Sequence, residues 1–253
     1  MNFEHHKTLP EDAPQPQSNL DHPHLVYAPP PEVTSLHVKR TAKLVELVKT
    51  AANLGGSTYQ DFEVLDIGSG RGELMQHLSA AGFAAVQGVD IDPTCVQLSS
   101  RYGKCRQLGI ENLQETFGDQ SFDLVVMSHV LEHMRDPLAA INTLRKTSRR
   151  WILLAVPNPM CPLAIYKSIR RKPWSNETHV VVWDRSHFRF FLTRHANLKL
   201  VEETGDYVQI FHGQMRKRMF QVGLNRPMKW VEQGMLYALF PHFATSIITL
   251  CEI

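Results

Sequence analysis

Apolar residues fall along this chain in two rhythms. Short continuous apolar runs alternate with stretches in which apolar residues return at every third or fourth position. The first rhythm marks buried strands and the second amphipathic helices. Strands are predicted near residues 62–67, 84–89, 104–108, 122–127, 151–156, 200–211 and 244–252, with helices between most of them. A helix from about Ser35 to Ala52 precedes the first strand, carried by Leu36, Leu44, Leu47 and Val48. On it, His37 and Arg40 read as surface residues, with a place at the mouth of the site as the alternative. Strand–helix alternation of this kind specifies an α/β fold, a mostly parallel sheet with helices on both faces. Residues 1–33 show neither rhythm. They hold seven of the fifteen prolines and several histidines, and bury too little to order themselves. A flexible Pro/His-rich tail over 1–33 and a folded domain over 34–253 are therefore expected. His5, His6, His22 and His24 read as solvated tail residues rather than as a metal-capturing group.

Composition narrows the function classes. A chain of 253 residues is long enough for one α/β domain with a large core. Its 27 basic and 25 acidic residues leave a formal charge of +2, too balanced to announce a nucleic acid or an acidic partner. Cys95, Cys105, Cys161 and Cys251 are scattered, with no C-x-x-C pair, and read as thiols in a reducing compartment. There is no apolar run of membrane-spanning length and no secretory h-region, so a cytoplasmic location is expected.

The chemistry concentrates in Val64-Leu65-Asp66-Ile67-Gly68-Ser69-Gly70-Arg71-Gly72-Glu73-Leu74. A strand runs into a glycine turn and then a helix, with glycine where backbone must turn sharply and lie against a ligand. A second strand ends in acid, Val89-Asp90-Ile91-Asp92, at a spacing that lets Asp90 accept ribose hydroxyls. The dinucleotide fingerprint requires a third glycine where Glu73 stands. Glu73 and Asp66 suit a ligand with a cationic end better than a pyrophosphate.

These segments, with Ser121-Phe122-Asp123-Leu124-Val125-Val126-Met127-Ser128-His129-Val130-Leu131-Glu132-His133, resemble the first, second and fourth motifs of the class I S-adenosylmethionine-dependent methyltransferases. The resemblance covers roughly residues 35–253. It implies a Rossmann-like, seven-stranded sheet whose last strand is antiparallel and inserted between strands five and six. It also implies S-adenosylmethionine as cofactor, S-adenosylhomocysteine as product, and a cofactor site of Asp66, Gly68, Ser69, Gly70, Asp90, Ile91, Ile110, Glu111, Ser128 and His129. Within that site Asp66 lies near the methionine amino group, Gly68 and Gly70 approach the methionine part, and Asp90 holds the ribose. One position departs from the family pattern: Ile110 stands where an acid usually meets the adenine amino group. The adenine is left either to pack on Ile110 and bond to backbone, or to use Glu111. The plain alternative is a strand-to-loop junction without a ligand role.

Other constellations are less specific. His129-Val130-Leu131-Glu132-His133 is a literal H-x-x-E-H, but it starts at a strand mouth and only a short helix precedes Asp136-Pro137, so no metal is expected. Glu132 and His133 read as architectural. Val156-Pro157-Asn158-Pro159 is similar to a motif of base-amino methyltransferases but follows the wrong strand; it reads as a rim loop, with Asn158 a candidate substrate contact. The H-x-R-x-F of His187 to Phe191 is similar to a bacterial group that includes ubiquinone and glycan methyltransferases and a methionine-biosynthesis-associated relative. His187 is the candidate general base, a neutral-pH titrator by type, or else it braces its loop. Two segments rich in basic and apolar residues, at about 159–182 and 214–243, read as lid-like insertions at the ligand end of the sheet.

The expected activity is methyl transfer to a small-molecule, glycan-linked or lipid-linked acceptor, at oxygen. A non-catalytic partner of another enzyme and an RNA methyltransferase are the alternatives. Nucleic acid is disfavoured as a partner, and a peripheral membrane contact or a protein partner is left open.

Overall fold

A computed structural model of the chain describes residues 31–211 and 213–253. The tail expected over 1–33, with its four histidines, lies outside the described residues except for Pro31 to Val33, which already belong to the first helix.

The strands are β1 (Val64–Ile67), β2 (Val86–Asp90), β3 (Lys104–Gln107), β4 (Phe122–Ser128), β5 (Ser148–Pro157), β6 (Lys199–Gly205) and β7 (Ser246–Glu252). They form one sheet in the order β3-β2-β1-β4-β5-β7-β6. The pairs β1–β2, β1–β4, β2–β3 and β4–β5 are parallel. The last strand, β7, runs antiparallel to both of its neighbours, β5 and β6. This is the Rossmann-like arrangement expected, and the strand order reverses between β1 and β4, where ligand crevices form in open α/β sheets.

Alternating side chains divide the core. Leu65 and Ile67 of β1, with Val125 and Met127 of β4, pack against α4 (Leu113–Phe117) and α5 (Pro137–Thr147). Val64, Leu124 and Val126 point the other way, onto Leu44, Leu47 and Val48 of α1 (Pro31–Gly55) and Leu74, Met75 and Leu78 of α2 (Glu73–Ala80). Two-sided burial is why these strands read as continuous apolar runs. The helix α3 (Pro93–Ser99) joins β2 to β3, with Asp92 capping it through Thr94 N–H.

The first predicted insertion contains α6 (Pro162–Ile169); α7 (Arg185–Phe190) follows it. The second contains α8 (Gly213–Gln221), α9 (Asn225–Trp230) and α10 (Leu236–Leu239). Strand β6 ends at Gly205, six residues before the apolar pattern does. Beyond it Asp206 turns its carboxylate to β7, and the Ile210 and Phe211 N–H groups donate to Glu232 Oε1 at 3.0 and 2.9 Å instead of to a strand. Among the described residues no helix is long and apolar enough to cross a membrane.

Candidate active site

The turn after β1 is built to hold backbone against a ligand. Gly68, Gly70 and Gly72 all have positive φ, +70°, +53° and +79°. At Gly68 a Cβ would come within 2.3 Å of Val130 Cγ2, so that position is closed by packing as well as by conformation. At Gly70 a Cβ would meet nothing nearer than a carbonyl at 4.0 Å, so the space above it is open. Asp90 fixes the turn from the next strand: Gly70 N–H donates to its Oδ2 at 2.8 Å and Asp92 N–H to its Oδ1 at 2.9 Å.

Burial and the neighbouring Asp90 carboxylate push the Asp66 carboxyl up to about 7. Asp90 is also raised, by desolvation, against the pull of its backbone donors. Two carboxyl groups held this way favour a cation between or beside them. The Ser69 hydroxyl turns inward, donating to Ser99 Oγ at 3.3 Å and lying 3.3 Å from Cys105 Sγ. Ile91 is 56% exposed next to Asp90, an apolar surface at the sheet mouth. Ile110 opens a single 3-10 turn and packs on the core beside Leu108, while the Glu111 carboxylate folds back over Gly109.

The end of β4 carries a second polar group. His129 has a left-handed backbone, φ 58°, and its N–H donates to Ala155 O at 2.8 Å. That turn sends its ring to β7, where Nε2 lies 3.0 Å from Ser246 Oγ. Ser246 Oγ donates to Asp206 Oδ2 at 2.9 Å, and Thr245 Oγ1 donates to the same oxygen at 2.7 Å. Asp206 Oδ1 accepts from Tyr207 and Ser246 N–H. Since the Ser246 hydroxyl gives its proton to Asp206, its oxygen accepts from His129 Nε2–H, which leaves Nδ1 as the basic nitrogen. Nδ1 faces Glu132 Oε1 at 3.6 Å. Burial raises Glu132 to about 7 and Tyr207 well above the phenol range, and Arg40 of α1 acts against both shifts.

A family profile described as a methyltransferase domain matches residues 36–203. The chain belongs to that family. It is a class I, S-adenosylmethionine-dependent methyltransferase. The ubiquinone biosynthesis O-methyltransferase of Actinobacillus pleuropneumoniae serotype 5b (strain L20) is 27% identical over 118 residues, 43% of this chain. The matched stretch spans about half of that relative, 48% of its length. Magnesium protoporphyrin IX methyltransferase (ChlM) from Synechocystis PCC 6803, solved with bound SAH, superposes with a TM-score of 0.59 at 18% identity, over 88% of each chain. A putative methyltransferase solved with the Haloferax volcanii Trm112 methyltransferase activator superposes with a TM-score of 0.57 at 16% identity, over 87% of this chain and 91% of that one. At these identities the solved structures show a shared fold.

Elsewhere in the methyltransferase, several sequence-predicted residues have other occupations. The His187 side chain is 78% exposed and pairs with Asp184, the residue that caps its own helix. Arg185 and Arg189 tie that helix to Glu203 on the edge strand β6. This is where the structure places His187, on its own helix cap. Asn158 is spent on backbone: its amide donates to His242 O at 2.9 Å and Ala244 O at 2.7 Å, and its Oδ1 accepts from Met160 N–H. The H-x-x-E-H is no helical pair, because Leu131–His133 is one 3-10 turn and the His129 and His133 rings part, to Ser246 and to Thr178. Asp206, Ser246 and Tyr207 escaped sequence reasoning. The one available signal was Asp206, an acid in the middle of the predicted strand 200–211.

Proposed function

We propose that this chain methylates a hydroxyl of a small organic acceptor, with His129 taking the proton. S-adenosylmethionine supplies a methyl group already activated by its sulfonium. Asp90 is suited to its ribose, Asp66 to its ammonium, the backbone of Gly68 and Gly70 to its methionine part, and Ile91 and Ile110 to an adenine face. The open space above Gly70 and the uncompensated carboxyl of Asp66 are what support that fit.

The remaining work is alignment, with the acceptor oxygen, methyl carbon and sulfur in line. An acceptor hydroxyl also has to lose a proton, which an oriented imidazole at the sheet mouth can accept. The observation that carries this reading is the His129–Ser246–Asp206 chain, which fixes one ring tautomer beside the glycine turn. The likeness to a ubiquinone O-methyltransferase favours an oxygen acceptor. The first insertion follows Pro157 of β5 and the second runs between Gly205 of β6 and Ser246 of β7, strand ends that are paired in the sheet, and we read the second as a lid. Its exposed Met215, Leu224, Trp230, Leu239 and Phe240 suit an apolar or lipid-linked acceptor.

Incubation with methyl-labelled cofactor and fractionated small molecules, RNA and protein tests the proposal. Label in the small-molecule fraction, in an ether that survives mild acid, is expected. Label confined to RNA or protein would overturn it.

A further inference from the structure

Two segments meet just beyond β4: the turn Leu131–His133, and the irregular stretch before α7 that carries His179. Backbone already ties them, since the Glu132 carbonyl accepts from Val180 N–H at 2.8 Å and Val181 N–H at 3.1 Å. At this junction the Glu132 carboxylate and the His133 and His179 imidazoles each bring one donor atom within 4.8 Å of the others.

Their hydrogen bonding is incomplete. Among the described residues, both carboxylate oxygens of Glu132, a residue 1% exposed, are buried with no hydrogen-bond partner, His129 Nδ1 standing off at 3.6 Å from Oε1, and His179 Nδ1 is buried without one as well. Leaving a carboxylate in this state is costly unless something pairs it. His133 is already oriented for that purpose. Its Nδ1–H donates to the Thr178 carbonyl at 3.1 Å, which leaves Nε2 with its lone pair. An imidazole held through one nitrogen to a carbonyl is the usual outer support of a metal ligand. The two rings meet edge to face, centroids 4.9 Å apart at 80°, rather than stacking.

We propose that Glu132, His133 and His179 bind a divalent transition-metal ion. Two imidazoles and a carboxylate form a donor set of zinc, iron(II) and manganese(II) sites, with positions left open, whereas calcium and magnesium favour oxygen alone. Metal bonds of about 2.1 Å require the donors to draw in to roughly 3.4 Å, a change within reach of side-chain torsions. The ligands differ from those of the H-x-x-E-H reading, because His179 takes the place of His129. The bound ion pins the first insertion to the end of β4, beside the acceptor end of the site, and the proposal holds whether or not the acceptor is a hydroxyl.

The test uses untagged full-length protein in which His5, His6, His22 and His24 are changed to Gln, so that the tail does not compete. After chelation it is titrated with zinc, manganese and cobalt(II) by calorimetry and visible absorption. One ion per chain is expected, with cobalt bands of a nitrogen–oxygen site. Affinity should fall at least tenfold in His179→Ala and, from the other segment, in His133→Asn. SAH binding retained by both variants shows that they fold. No stoichiometric ion in the parent protein, or equal affinity in the parent and both variants, would overturn the proposal. Neither outcome depends on methyl transfer, so this test and that of the acceptor fail separately.

Discussion

His129 Nε2 lies 3.0 Å from Ser246 Oγ, across 117 positions of sequence. The contact exists because β7 turns back between β5 and β6 and brings its first residue to the mouth of β4. His129→Asn should lower kcat by about 100-fold or more, the usual weight of a positioned acid–base group, with SAH affinity unchanged. Ser246→Ala should lower kcat less, and its KM for acceptor should stay near the wild-type value. Steady-state kinetics with calorimetry separates the two effects. Full activity in His129→Asn would remove the residue from the mechanism.

Gly68 and Val130 are a second linked pair, because the glycine turn packs directly on the β4 sequel. Gly68→Ala should cost roughly 1–2 kcal/mol for the left-handed backbone and about 1–3 kcal/mol more for the clash with Val130. The double variant Gly68→Ala/Val130→Ala should recover only the clash part, less whatever its own lost packing costs. Thermal unfolding of these two variants and of Val130→Ala checks this, and a Gly68→Ala protein as stable as wild type would show that the turn is looser than described.

Asp66 sets a pH dependence. Its folded-state pKa, about 7, lies above the ordinary aspartate value of 3.8, so between those limits the folded state holds a proton that the unfolded state has lost. Stability of the ligand-free enzyme should therefore fall as pH rises from about 4 to about 7, and level off above. Asp90 and Glu132 are raised in the same sense, so the difference between wild type and Asp66→Asn isolates the Asp66 share. Affinity for SAH, whose ammonium suits an ionised Asp66, should rise with pH over the same window and flatten in Asp66→Asn. An SAH affinity that falls with pH there would contradict the assignment.

The central strands and the glycine turn were legible because their signals are local: an apolar run, a glycine spacing, and an acid two dozen residues later. The long-range part was not. Asp206 gains its meaning only from Ser246, 40 positions away, and His129 only from β7. The overrun of β6 has the same cause. Val208 to Phe211 continue the predicted strand, but the N–H groups of Val208, Ile210 and Phe211 answer to Glu232 on an insertion rather than to a strand. His187 was chosen by type and motif, and neither carries information about its exposure or about its pairing with Asp184.

Glu232 and Arg216 also determine how firmly the second insertion is held. Their side chains meet at 2.9 Å with relative exposures of 0% and 7%, and Glu232 Oε1 accepts two backbone N–H groups besides. Removing the carboxylate strands a buried guanidinium, a loss of about 3–5 kcal/mol when a buried pair is broken. The loss should be local, because among the described residues none of 213–243 belongs to the two main core clusters, and Glu232 and Arg216 bond to segment 208–211. Glu232→Ala should therefore open residues 213–243 to limited proteolysis well below the temperature at which the sheet melts, with SAH affinity retained. Acceptor KM should rise if this segment is the lid. Cleavage at the wild-type rate would mean that the insertion is held by other contacts, among them the Tyr237 hydroxyl on Thr204 and Gly205, and Tyr237→Phe would then be the next variant to release it.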